Sequence, residues 1–190
     1  MQKLDLGDQL TTRLQTVLDT VEREFQPLTT AQLTWKPAPD RWSVVECLQH
    51  LNLAERFYIR NLQHKADQLG LVQHRPTDQP IRSGLVGRAL RYVVDPRTPL
   101  RLPAPPVVQP RKDLDPAVVL AQFVELQTLL RTLLDRLIYY DWNTTQLSTL
   151  FGNWLKIRLG DALLMLVAHT ERHLNQARRV VADARFPAAL

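Results

Sequence analysis

Cysteine is almost missing from this chain: Cys47 is the only one among 190 residues. A disulfide within the chain is therefore excluded, and so is a zinc site built on several thiolates. Glycine is scarce, at six residues. Runs of β-branched residues are few, while Leu, Ala, Gln, Glu and Arg are plentiful, a balance that favours helices over sheet. The longest apolar stretch near the C-terminus, Ala162 to Ala168, is far shorter than the roughly 20 residues a bilayer span needs. The opening MQKLDLGDQL lacks a basic-then-apolar signal segment. The expectation from these absences is a cytoplasmic protein with no membrane partner.

Hydrophobic residues make up 45% and charged residues 23%, ordinary values for a folded domain. Residues 1–190 therefore read as a single domain with one sizeable core. Positive charge is unevenly spread. Between Arg75 and Lys112 stand eight basic residues, opposed only by Asp78 and Asp95, while the whole chain carries +5. The high isoelectric point thus belongs to one segment. That segment has Tyr92 as its only aromatic and matches no nucleic-acid-binding motif, so nucleic acid is not an expected partner. A solvated face or a lid over a site is the reading preferred.

Helical periodicity dominates the rest. Leu10, Leu14, Val17, Leu18, Val21 and Phe25 predict a first helix from about Asp8 to Phe25, ended by Pro27. Residues 28–41 read as a loop with a short helical turn at Thr29–Gln32. Ser43-Val-Val-Glu46 is a capping box that opens a second helix, with Trp42 stapling its entry and Gly70 stopping it. Residues 71–114 form a long, basic, proline-rich crossover containing one short amphipathic helix around Leu85 to Val93. Asp115-Pro116 starts a third helix that runs to about Tyr139. Residues 141–159 read as irregular, and a fourth helix begins at Asp161. The expected fold class is all-α, a four-helix bundle.

Histidine placement carries the functional argument. His169 and His173 lie four apart on the last helix, so their imidazoles stack on one face and can share an ion at about 2.0–2.1 Å. That face adjoins the apolar stripe, where two unpartnered imidazoles would each leave a polar nitrogen unsatisfied. His50 faces inward on the second helix beside Cys47, Leu51 and Ala54. It reads either as a hydrogen-bonded core residue or as a third ligand. His64 and His74 lie in charged surroundings and are expected to be solvated. His169-Thr-Glu-Arg-His173 is not the metalloprotease H-E-x-x-H: Glu171 stands about 200° around the helix from His169. Cys47 reads as a small core residue, while Trp42 and Tyr58 read as core or pocket lining.

Trp42-Ser43 leading to His50, the His169-x-x-x-His173 pair, and the trailing Gln176 together resemble the DinB/YfiT-like superfamily of helical metalloproteins. The resemblance spans about Asp8 to Val181, although the basic crossover is not typical of it. It implies an up-down-down-up bundle, a divalent ion (nickel or zinc) on His50, His169 and His173, and frequent homodimers. The activity implied is that of a metal-dependent enzyme on a small-molecule substrate, a hydrolase or a thiol S-transferase. The alternative is a non-catalytic helical metal-binding or interaction module. Gln176 and Glu46 are candidate supports for a ligand imidazole. Glu46 has the capping box as its competing role, and Gln176 reads equally as an ordinary polar residue at a bundle edge.

Overall fold

A computed structural model describes residues 1–69, 75–100 and 102–188. Gly70, His74 and Arg101, to which the sequence assigned a helix stop, a solvated surface and part of the basic segment, lie outside the described residues.

The elements in order are α1 (Lys3–Thr20), a π-helical turn (Val21–Phe25), α2 (Thr30–Thr34), α3 (Val44–Gln68), α4 (Leu85–Val94), a 3₁₀ turn (Pro106–Val108), α5 (Pro116–Leu137), β1 (Gln146–Thr149), β2 (Gly152–Arg158) and α6 (Leu159–Val181). Two of the long helices, α3 and α5, start where a side chain satisfies their free N–H groups. Ser43 Oγ accepts from Glu46 N, and the Glu46 carboxylate accepts from Ser43 N, closing the expected capping box. Asp115 accepts from Ala117 N ahead of Pro116 in the first turn of α5. Thr29 and Gln32 form a second capping box on α2.

The long helices pack as a ring. α3 contacts α5 and α6, and α1 contacts the same two from the other side. By length and composition α5 is apolar enough to cross a membrane, a feature not expected from the sequence. Here Val119, Phe123, Leu130, Leu133 and Leu137 of α5 are buried in the bundle instead. The interior falls into two apolar clusters. One gathers Val44, Leu48, Phe123 and Leu174; the other gathers Leu10, Leu62, Leu130 and Leu163. Between them in sequence position on all three helices lie buried polar residues: Asn52 and Glu55 on α3, Gln127 on α5, and Thr170 on α6. The histidines of the last helix flank this polar layer.

Two expectations need correction. The fold is mostly helical but not all-α: residues 141–159, expected to be irregular, contain an antiparallel hairpin that pairs Leu147 with Ile157. Thr149, Trp154 and Ile157 favour extended backbone, and Gly152 takes φ 122°, open to glycine, at the turn. Leu147 and Ile157 point into the core, and Trp142 beside them is 1% exposed with Nε1 donating to Leu137 O at 2.8 Å. α1 also starts earlier than expected, at Lys3. Leu6 extends its buried stripe, and the buried Lys3 ammonium donates to Ile138 O at 2.8 Å, beyond the end of α5. That carbonyl end of a helix is where a cation is favoured.

Candidate metal centre

The site is assembled by α3, α6 and the connection between α3 and α5. His50 projects from the second turn of α3, fixed in height by the capping box seven residues earlier. His169 and His173 project from α6 one turn apart. One nitrogen from each of the three rings lies within 4.8 Å of the others. His50 Nε2 and His169 Nε2 are 3.2 Å apart. Nitrogens bound to one tetrahedral ion at about 2.0–2.1 Å are themselves about 3.3 Å apart, so this spacing fits shared coordination.

The opposite edges of the rings set the tautomers. His50 Nδ1 lies 2.8 Å from Val108 O, a group that can only accept, so Nδ1 carries the proton and Nε2 presents its lone pair. His173 Nδ1 faces Gln176 Oε1 at 3.0 Å with the same consequence. Imidazoles held this way by a carbonyl or amide oxygen are oriented for metal binding. Burial holds all three rings below the usual histidine range. For His169 the neighbouring His173, His50 and Arg172 deepen the effect, and for His173 the His50 ring adds to it. Neutral rings with lone pairs directed at one another repel unless a proton or a cation lies between them. The donor set, three neutral nitrogens, suits a divalent ion and does not select among zinc, nickel, copper and iron.

Trp42 forms a wall, its ring 4.9 Å from His50 and 5.7 Å from His173. The centre opens into a cleft of about 1340 Å³, lined by Trp42, Tyr58 and residues of the 90–99 and 102–110 stretches among others. The basic segment thus covers the site in part. Arg172, between the two α6 histidines, anchors it by donating to Asp95 O at 2.8 Å, to Thr98 O at 3.1 Å and to Leu100 O.

Other residues singled out from sequence fall elsewhere. Glu46 serves the capping box and an ion pair with Lys36 at 2.8 Å, although it also lines the cleft. Glu171 turns away from the histidines and pairs with Arg13 at 2.7 Å across to α1. Cys47 is fully buried, and burial pushes its thiol far above the reactive range. His64 is exposed. Sequence reasoning missed Arg172 and the Val108 carbonyl. The position of Arg172 between two candidate ligands was a usable signal for the first; nothing in the sequence marked the second.

A family model described as the DinB superfamily matches residues 13–177. No curated protein matches the chain. Among solved structures, the chain is similar to YfiT from Bacillus subtilis, described as a probable metal-dependent hydrolase with an unusual four-helix bundle topology. The two share 18% identity and a TM-score of 0.58, over 95% of this chain and 89% of the other. At that identity the likeness is one of fold.

Proposed function

The chain belongs to the DinB superfamily, and from that premise we propose that it is a metal-dependent enzyme acting on a small molecule, with His50, His169 and His173 as the metal ligands. The observation that carries the proposal is the convergence of three neutral imidazole nitrogens from two helices within 4.8 Å, with two of the rings tied back to oxygen acceptors. The proposal includes an up-down-down-up order for the long helices, with the crossover joining the second and third.

A divalent ion on these residues would supply a Lewis acid at neutral pH. The chain's own groups do the rest. Val108 O and Gln176 Oε1 hold His50 and His173 with their lone pairs turned inward. Trp42 closes one side against water. The cleft admits substrate to the remaining side, and Arg172 keeps the connection in place above it. Among the described residues the cluster has no fourth His, Cys, Asp or Glu donor. A three-ligand site beside an open cleft favours a reaction centre over a closed structural ion.

We favour hydrolysis, because the similar bundle YfiT is described as a probable metal-dependent hydrolase. Thiol transfer is the second reading; its only support is the family resemblance. The test is elemental analysis of the purified, untagged protein, with thermal melts in zinc or nickel. One ion per chain is expected, together with metal-dependent stabilisation that His169→Ala abolishes while the helical content survives. No bound ion and an unchanged melting temperature in added zinc and nickel would end the proposal.

A further inference from the structure

The cleft is chemically polarised along α6. At about 100° per residue, Met165, Leu166, His169, Arg172, His173, Gln176 and Arg179 all fall within a sector of about 140°. All of them line the cleft. At about 1.5 Å per residue, they spread over about 21 Å, with the histidines in the middle. Towards the start of α6 the walls are apolar: Met165 and Leu166, Leu90 and Val94 of α4, and Leu150 and Phe151 of the hairpin turn. Towards its end they are cationic.

The cationic end has surplus charge. Each carboxylate in the cleft already faces a cation: Asp40 lies 3.9 Å from Arg41, Glu46 lies 2.8 Å from Lys36, and Asp183 lies 2.9 Å from Arg185. Arg97 is taken by Asp95 at 2.8 Å. Among the described residues Arg172 donates only to neutral backbone carbonyls and pairs with no carboxylate. Arg179 has neither an ion-pair nor a hydrogen-bond partner among the described residues. Its neighbour Arg178 is paired with Glu24 on the other side of the helix. A guanidinium fork presented to a cleft whose carboxylates are all paired with other cations is suited to an oxyanion from outside.

We propose that the cleft binds an amphipathic oxyanion, with its apolar group against Met165 and Leu166, its reacting bond beside the three histidines, and its carboxylate or phosphate on Arg179. Arg172 adds positive field without leaving its carbonyl partners. The assignment of the reacting bond rests on the metal-centre reading; the assignment of the anion to Arg179 does not.

The test is calorimetric binding of dodecanoate, dodecyl phosphate, dodecanamide and acetate, below micelle-forming concentrations, to the wild-type chain and to Arg179→Gln, Arg179→Lys and Arg178→Gln; a twelve-carbon chain is long enough to reach from Met165 to the Arg179 guanidinium. At least one of the two long-chain anions should bind about tenfold or more tighter than dodecanamide, and the tighter of the two identifies the headgroup. Acetate should bind more weakly than dodecanoate. Arg179→Gln should reduce the anion to the dodecanamide level, Arg179→Lys should restore part of the affinity, and Arg178→Gln should match wild type. The same preference should persist in metal-free His169→Ala protein. Anions no tighter than dodecanamide, or binding that Arg179→Gln leaves intact, overturn the inference. Binding lost in His169→Ala but kept in Arg179→Gln would put the anion on the ion; that overturns the inference and leaves the metal-centre proposal standing. Arg179-dependent binding by a chain that takes up no metal would do the reverse.

Discussion

Glu55 gives the most quantitative prediction. Its carboxyl is fully buried between the two apolar clusters, with 0% exposure. Oε2 accepts from Gln127 Nε2, and Oε1 lies 2.6 Å from Thr170 Oγ1. Thr170 Oγ1 is also 3.0 Å from Leu166 O, and a hydroxyl has one proton to give. A protonated Glu55 resolves the conflict: it donates to Thr170, whose hydroxyl then donates to Leu166 O. Burial raises the Glu55 pKa from 4.5 to about 7, although the Thr170 and Gln127 bonds pull it down. A carboxyl raised on folding keeps its proton in the folded state at pH values where the unfolded chain has lost it. Stability therefore falls as pH rises from 4.5 to about 7, is undiminished by this group below that window, and carries the full penalty above it. At about 1.4 kcal/mol per pH unit the interval amounts to roughly 3 kcal/mol. Glu55→Gln keeps a neutral donor towards Thr170 and an acceptor for Gln127, and removes the titration. Urea unfolding of both proteins in chelator, at several pH values from 4.5 to 8, isolates the term as the difference between them. The two should agree within about 1 kcal/mol at the acid end, and the variant should gain roughly 3 kcal/mol over wild type by pH 8. Parallel stability curves, or a variant weaker at pH 8, would refute the reasoning.

Two further substitutions probe what positions the site. A Cβ at Gly87 would lie 2.2 Å from Asp161 Cγ, and Asp161 is the buried group that accepts from Gly84 N at 2.8 Å. Gly87→Ala should therefore push α4 off α6, cost about 1–3 kcal/mol in chemical denaturation, and speed proteolysis within the 85–110 connection. Ser43→Ala removes half the capping box that sets the start of α3 and should cost about 1 kcal/mol in the same measurement.

The sequence by itself determined the helices and the candidate ligands. Apolar spacing, the Ser43–Glu46 box and Asp115-Pro116 are local signals, and a helix is a local structure. The spacing of four between His169 and His173 fixes a shared face for the same reason. The sequence also separated Glu171 from those histidines, because angle along one helix depends on residue count alone. What it did not determine depends on contacts between distant segments. The hairpin at 146–158 is short, and its pairing becomes favourable when Leu147 and Ile157 find the core beside Trp142. The start of α1 at Lys3 depends on the end of α5, which supplies a carbonyl for the Lys3 ammonium. Only the tertiary structure brought His50 within 3.2 Å of His169. It alone revealed Val108 O behind His50, Arg172 clamping the connection, and Glu55 sealed between two apolar layers. These facts follow from how helices pack and where the described part of the connection between α3 and α5 comes to rest, and neither is written in any single stretch of chain.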